Sequence, residues 1–292
     1  MLKGSFVALV TPFKNNKVDE EKLRELVEFQ IKNGTNGLVP CGTTGESPTL
    51  SYEEHERVIE VVVEQAKKRV PVIAGTGANS TTETIEMSEY AKKVGADAVL
   101  LVVPYYNKPT QKGLVLHFKK VAKDVNIPMV IYNIPGRTGV NMLPDTIIKV
   151  AKETGLVVGV KEASGNVDQT SELVKQFGDK IPVLSGDDSL TLPIMSVGGY
   201  GVISVLANIA PKDVHDMCAA YLKGDLKTAQ ALHLKAFTLI KTLFIETNPI
   251  PIKTAAGIMG LCSDELRLPL APMDDANKEK LRKEMSAYGL LK

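Results

Sequence analysis

Three stretches of this chain place reactive side chains directly behind apolar runs: CGTTGES from Cys41, YNIPGRTG from Tyr132 and KEASG from Lys161. The lysine carries the most chemistry. A free lysine amine, with a pKa near 10.4, is neutral in only about one molecule in 2,500 at pH 7. Loss of water disfavours the ammonium, and a pKa drawn down to roughly 7 to 8 makes an amine that attacks ketones and forms a Schiff base. Lys161 closes the apolar run 156–160, so its surroundings are of that kind. The plainer alternative is an ion pair with Glu162 or another carboxylate, although neighbours on a strand point to opposite faces, which argues against Glu162. Imine chemistry also needs a proton carrier and grips for carboxylates. The Tyr132 phenol suits the first role, or else it is a packing tyrosine. Thr43 and Thr44 sit in a glycine-flanked turn whose hydroxyl and N–H groups suit a carboxylate or oxyanion, but glycines serve any tight turn. The Arg137 guanidinium suits a second carboxylate, or equally a surface position.

The elements that must position these groups follow from periodicity. Short apolar, β-branched runs at 5–10, 37–40, 70–74, 98–103, 128–132, 156–160, 181–184 and 201–205 predict eight strands. Between them lie segments of helical period such as EEKLRELVEFQIKNG, YEEHERVIEVVVEQAKKR and TETIEMSEYAKKVG, two of them closing on glycine. Strands apolar at nearly every position are buried on both faces, and a βα unit repeated eight times predicts an α/β fold, the closed (β/α)8 or TIM barrel. An open doubly wound sheet is the rival, although it should show weaker edge strands. The strand signal stops after about Gly224, so the expected units are a barrel over 1–224 and a helical appendage over 225–292, broken by Pro249, Pro251 and Pro269.

Barrels do their chemistry at the C-terminal ends of the strands. Lys161 stands at such an end, and Tyr132 ends the strand beside it. No histidine falls at any end: His55, His117, His215 and His233 all lie in helical segments, which leaves a Ser-His-Asp relay or histidine metal site hard to build. Asp187 and Asp188 read as a helix cap rather than magnesium ligands, so no metal is expected. The ends of strands seven and eight lack a glycine-rich phosphate nest.

Composition narrows the class further. With 44% hydrophobic and 24% charged residues the chain can bury a large core, and a net charge of +1 without a basic stripe argues against nucleic acid as a partner. The opening MLKGSFVALVTPF lacks the long apolar region of a signal peptide, and no run reaches the roughly 18 residues a membrane span needs. Three scattered cysteines read as reduced thiols. A soluble cytoplasmic enzyme is expected.

GTTGES, YNIPGRTG and KEASG, in that order at the ends of strands two, five and six, resemble the signatures of the pyruvate-dependent class I aldolase family, which includes N-acetylneuraminate lyases and 2-keto-3-deoxy sugar acid aldolases. PYYNKP and NPIPIK extend the resemblance over nearly the whole chain. It implies that Lys161 forms an imine with pyruvate and that no other cofactor is needed. Tyr132, Thr43 and Tyr106 would relay protons, Tyr106 reaching into a neighbouring subunit. Thr43 and Thr44 would hold the pyruvate carboxylate, Arg137 that of an incoming aldehyde, and Gly186 and Ile203 would flank the imine. The paired threonines and Arg137 favour L-aspartate 4-semialdehyde over sugar acids or N-acetylneuraminate, hence the diaminopimelate route to lysine. The resemblance also implies a homotetramer of tight dimers and an interface site for inhibitory L-lysine at Ser47, Pro48, Tyr52, His55, Asn79, Glu83 and Tyr105. Two other classes compete: a metal- or histidine-dependent barrel enzyme, which would need ligands at strand ends, and a solute-binding protein, which would need no amine there.

Overall fold

The β-branched runs pack as strands because both of their faces are buried. The computed structural model describes residues 2–178 and 180–291, so Met1, Asp179 and Lys292 of the expected units lie outside it. Eight parallel strands run at Gly4–Ala8, Gly37–Val39, Ile73–Gly75, Ala98–Val102, Met129–Asn133, Val157–Glu162, Val183–Ser185 and Gly201–Ser204. Strands one and eight pair, and an isolated bridge between Leu38 and Val72 joins strands two and three, closing the ring. The fold is therefore the (β/α)8 barrel and not the open sheet. Alternate residues fill the inside: Phe6, Val39, Ile73, Leu100, Val130 and Ile203 form the interior cluster, while their neighbours face the helices.

The helices start where their caps dictate. Ser51 accepts from Glu54 N while the Glu54 side chain reaches back to Ser51 N, a capping box that opens Tyr52–Ala66. Asp19, Ser80 and Thr110 cap the helices Glu20–Lys32, Thr81–Lys93 and Gln111–Val125 by accepting from one first-turn N–H each, without the reciprocal bond. Gly34 and Gly95, at φ 86° and 94°, end the first and third helices as their positions predict.

Several boundaries differ from the sequence reading, each for a local reason. Strand three begins at Ile73, not Val70, because Pro71 has no N–H to give the ladder, only its carbonyl, which Leu38 N uses. Strand one stops at Ala8, since Val10 N turns to Asn208 Oδ1 instead. Phe13–Lys14 and Lys17–Val18 form an unforeseen small hairpin about Asn15 and Asn16, both left-handed at φ 53° and 59°. Strand six runs past its apolar residues to include Lys161 and Glu162.

Three helices follow the barrel, Leu226–Thr242, Ile250–Ile258 and Asp275–Tyr288. Pro249 and Pro251 do not break a helix here. They open the middle one, in the first turn where an N–H has no partner to lose. That helix is anchored by a fully buried ion pair, Lys253 Nζ to Glu46 Oε1 at 2.5 Å, with the Phe13 ring 3.8 Å beneath the ammonium. Glu46 lies in the turn after strand two, in left-handed backbone at φ 55°, so the appendage grips the strand-end loops. Among the described residues no helix is long and apolar enough to cross a membrane.

Removing one partner of such a pair strands a buried charge. Lys253→Met is expected to cost about 3–5 kcal/mol in denaturant unfolding, and Glu46→Gln added to it should restore much of that; a single variant as stable as wild type would refute the account.

Candidate active site

Strands five and six bring the two principal groups together through register. Tyr132 pairs with Lys161 and Asn133 with Glu162, after a shift at Met129/Val130 that skips Val158. Lys161 also pairs with Leu184 of strand seven, so the lysine backbone is held on both sides. The Lys161 amine lies 4.0 Å from the centre of the Tyr132 ring. Only 6% of Lys161 and 5% of Tyr132 is exposed.

Electrostatics follow from this burial. Loss of water pulls the Lys161 pKa down to about 7; the Asp188 carboxylate resists and the Arg137 charge assists. Burial pushes the Tyr132 phenol up to about 12, opposed by Arg137 and by a hydrogen bond with Thr43. At neutral pH the pair is thus a partly neutral amine beside a fully protonated phenol, the states needed for a nucleophile and a proton carrier. Glu162 does not compensate Lys161. Its oxygens accept from Ser164 N at 2.7 Å, Gln169 Nε2 at 3.2 Å and Asn133 Nδ2 at 3.3 Å, on the opposite side of the strand.

The remaining candidates assemble around this pair to different degrees. Thr43, Tyr132 and Arg137 wall one cavity of about 400 Å3. Thr44 is buried, its hydroxyl oxygen accepting from Asn248 Nδ2 at 3.0 Å. Arg137 sits in the short helix Pro135–Thr138 and donates through Nη2 to the Asn248 carbonyl at 3.0 Å. Gly186 packs on the lysine stem: a Cβ there would stand 2.7 Å from the Ala163 Cβ and 3.2 Å from Lys161 Cε, so a larger residue would have to shift Ala163 and press on the lysine stem. Ile203 belongs to the interior cluster that also holds Tyr132. Tyr106 is not brought in. It is 88% exposed, on a left-handed backbone at φ 70°, and stands outside the cavity wall.

The regulatory candidates largely share that cavity. Ser47, Pro48, Tyr52, His55, Glu83 and Tyr105 all line it. Tyr52 is hydrogen-bonded to Glu83, and burial holds His55 neutral by lowering its pKa to about 4. Asn79 lies off the wall, in contact through its backbone with Tyr105.

Three groups escaped the sequence reading. Asp187 does cap its turn, through Ser189 N, but Asp188 faces inward, accepting from Ser204 Oγ and from Val205 N and Leu206 N at 2.9 and 3.0 Å. Asn248 and Lys253 lay in a segment read only as helix. The proline-bounded NPIPIK was the one available signal. Among the described residues no group of three or more His, Cys, Asp and Glu side chains is placed to hold a metal ion.

A closed parallel barrel that holds a desolvated lysine against a phenol at the ends of adjacent strands defines a Schiff-base lyase of the class I aldolase type. The dihydrodipicolinate synthetase family model matches residues 1–288. A 4-hydroxy-tetrahydrodipicolinate synthase from Geotalea uraniireducens is 60% identical over 291 residues, spanning 100% of both chains. The crystal structure of dihydrodipicolinate synthase from Aquifex aeolicus superposes with a TM-score of 0.97 at 53% identity, covering 99% of each chain. That of the enzyme from Cyanidioschyzon merolae with lysine bound gives 0.96 at 39% identity, again over 99% of each. This chain belongs to the dihydrodipicolinate synthetase family.

With the Lys161 pKa at about 7, the rate at which pyruvate is captured as a reducible adduct should climb as the ammonium loses its proton through pH 7 and level off above it. Asp188→Asn removes a charge that favours the ammonium, so the midpoint should move to lower pH; a midpoint near 10 in the wild type would defeat this account.

Proposed function

We propose that the chain catalyses the 4-hydroxy-tetrahydrodipicolinate synthase reaction, the condensation of pyruvate with L-aspartate 4-semialdehyde. The observation that carries this reading is the buried Lys161 amine, its pKa near 7, set over the Tyr132 ring in a chain 60% identical along its whole length to such a synthase. The neutral amine attacks the keto carbon of pyruvate. The Tyr132 phenol passes protons to the departing oxygen, one water leaves, and a protonated imine remains. Loss of a methyl proton gives the enamine, whose carbon attacks the aldehyde. The amine of the semialdehyde then adds to the imine carbon and expels Lys161 as the ring closes.

Thr43 and Thr44 hold the pyruvate carboxylate in this scheme, and Arg137 holds that of the semialdehyde. Gly186 leaves room beside the lysine, and Ile203 keeps the barrel side of the imine dry. No metal or further cofactor takes part, and three buried, unpaired thiols suit a cytoplasmic setting. The exposed Tyr106 acts across a subunit boundary within a homotetramer, completing the relay of a neighbouring site. Ser47, Pro48, Tyr52, His55, Asn79, Glu83 and Tyr105 form a site for L-lysine at that boundary, Glu83 taking an ammonium; the relative with lysine bound supports this.

Borohydride with pyruvate should leave one reduced adduct on wild-type protein and none on Lys161→Ala, read by intact mass, and turnover of the two named substrates should far exceed cleavage of N-acetylneuraminate or 2-keto-3-deoxygluconate. The reverse preference would overturn the assignment. Assembly and regulation are checked by sedimentation at dimer or tetramer mass and by inhibition with millimolar L-lysine; a fully active monomer, or activity indifferent to lysine, removes the corresponding statement.

A further inference from the structure

We propose that Asn248, contributed by the helical appendage, is a positioning residue for both carboxylate grips, an inference that rests on the functional reading above. Its side chain and its backbone serve different grips. Asn248 Nδ2 donates to Thr44 Oγ1 at 3.0 Å, and the Asn248 carbonyl accepts from Arg137 Nη2 at 3.0 Å. Asn248 and Thr44 are both buried, so the bond between them does not compete with bulk water, whereas Arg137 is exposed and its bond to the carbonyl is only partly shielded.

The chemistry of each contact gives its consequence. A hydroxyl whose oxygen already accepts a bond has its single proton free to donate elsewhere, and it donates more strongly for being polarised. Asn248 therefore turns Thr44 into a donor, which is what a pyruvate carboxylate requires. The Asn248 carbonyl occupies one N–H of the Arg137 fork and fixes its plane, leaving the other donors for the second carboxylate. Five residues on, the buried Lys253–Glu46 pair ties the same segment to the same loop, since Thr44 and Glu46 are two residues apart. The segment 248–253 is thus held to one turn at two points. It sets the distance between the pyruvate grip and the aldehyde grip.

The split between side chain and carbonyl makes the test specific. Asn248→Ala removes the bond to Thr44 and keeps the carbonyl. The KM for pyruvate should rise about fivefold or more, as for loss of a buried hydrogen bond, with kcat and the KM for the semialdehyde within about twofold of wild type. In a Thr44→Val background the same substitution should change the pyruvate KM less than about twofold, because the hydroxyl it orients is already gone. Asn248→Asp keeps the shape but accepts the Thr44 proton instead of donating, and should raise the pyruvate KM further than alanine does. An unchanged pyruvate KM in both variants, an undiminished effect in the Thr44→Val background, or equal damage to both KM values and kcat would overturn the proposal. Wild-type protein that forms no pyruvate adduct would instead refute the functional reading on which it rests.

Discussion

The Lys161 amine has given up nearly all its water, and the placement of its neighbours follows from that. Two nearby features favour the ammonium, the face of the Tyr132 ring and the Asp188 carboxylate. Desolvation outweighs them, with Arg137 on the same side of the balance. Such an outcome needs a lysine that cannot swing out to solvent. Backbone pairing to strands five and seven fixes its Cα, and the absence of a side chain at Gly186 lets its stem lie flat against the barrel wall. An exposed lysine at the same sequence position would remain an ammonium at neutral pH.

Keeping one amine uncompensated requires the buried carboxylates nearby to be occupied elsewhere. Glu162, next in sequence, has its oxygens taken by Ser164, Gln169 and Asn133, and Asn133 Oδ1 in turn accepts from Met142 N. Asp188 is spent on Ser204 and two backbone N–H groups, and it acts on the amine as a counter-charge without forming an ion pair with it. Glu46 and Lys253 satisfy each other. These bonds contribute only modestly to net stability once made, but each group would be expensive to leave unpaired. Together they keep the buried carboxylates of the strand ends from forming an ion pair with the amine.

The loop after strand two connects these functions. Thr43 faces the cavity, Thr44 is turned by Asn248, Glu46 anchors the appendage, and Ser47 and Pro48 line the part of the cavity shared with Tyr52 and Glu83. On the proposed assignment, a ligand held against Glu83 and a ligand held by the threonines would touch one short covalent segment. No long pathway is required for one to sense the other.

Much of this was legible in one dimension because it depends on local periodicity. The eight apolar runs, the alternating amphipathic segments, the glycines at 34 and 95, and a lysine placed where an apolar run ends each leave a pattern within a few residues. So the order of elements, the closed barrel and the pairing of Lys161 with Tyr132 on adjacent strands followed from the amino-acid sequence alone. The strand-six boundary, the hairpin at Asn15 and Asn16, the inward turn of Asp188 and the work of Asn248 and Lys253 did not. Thr44 meets Asn248 across 204 residues and Glu46 meets Lys253 across 207, and a hydrogen bond over that separation leaves no repeat or spacing to read. Which amine exists at the mouth of the barrel was settled by the sequence. How much water it keeps, and which neighbours hold the two grips apart, was decided only when the ring closed and the appendage docked, because desolvation and long-range hydrogen bonds exist only in the folded chain.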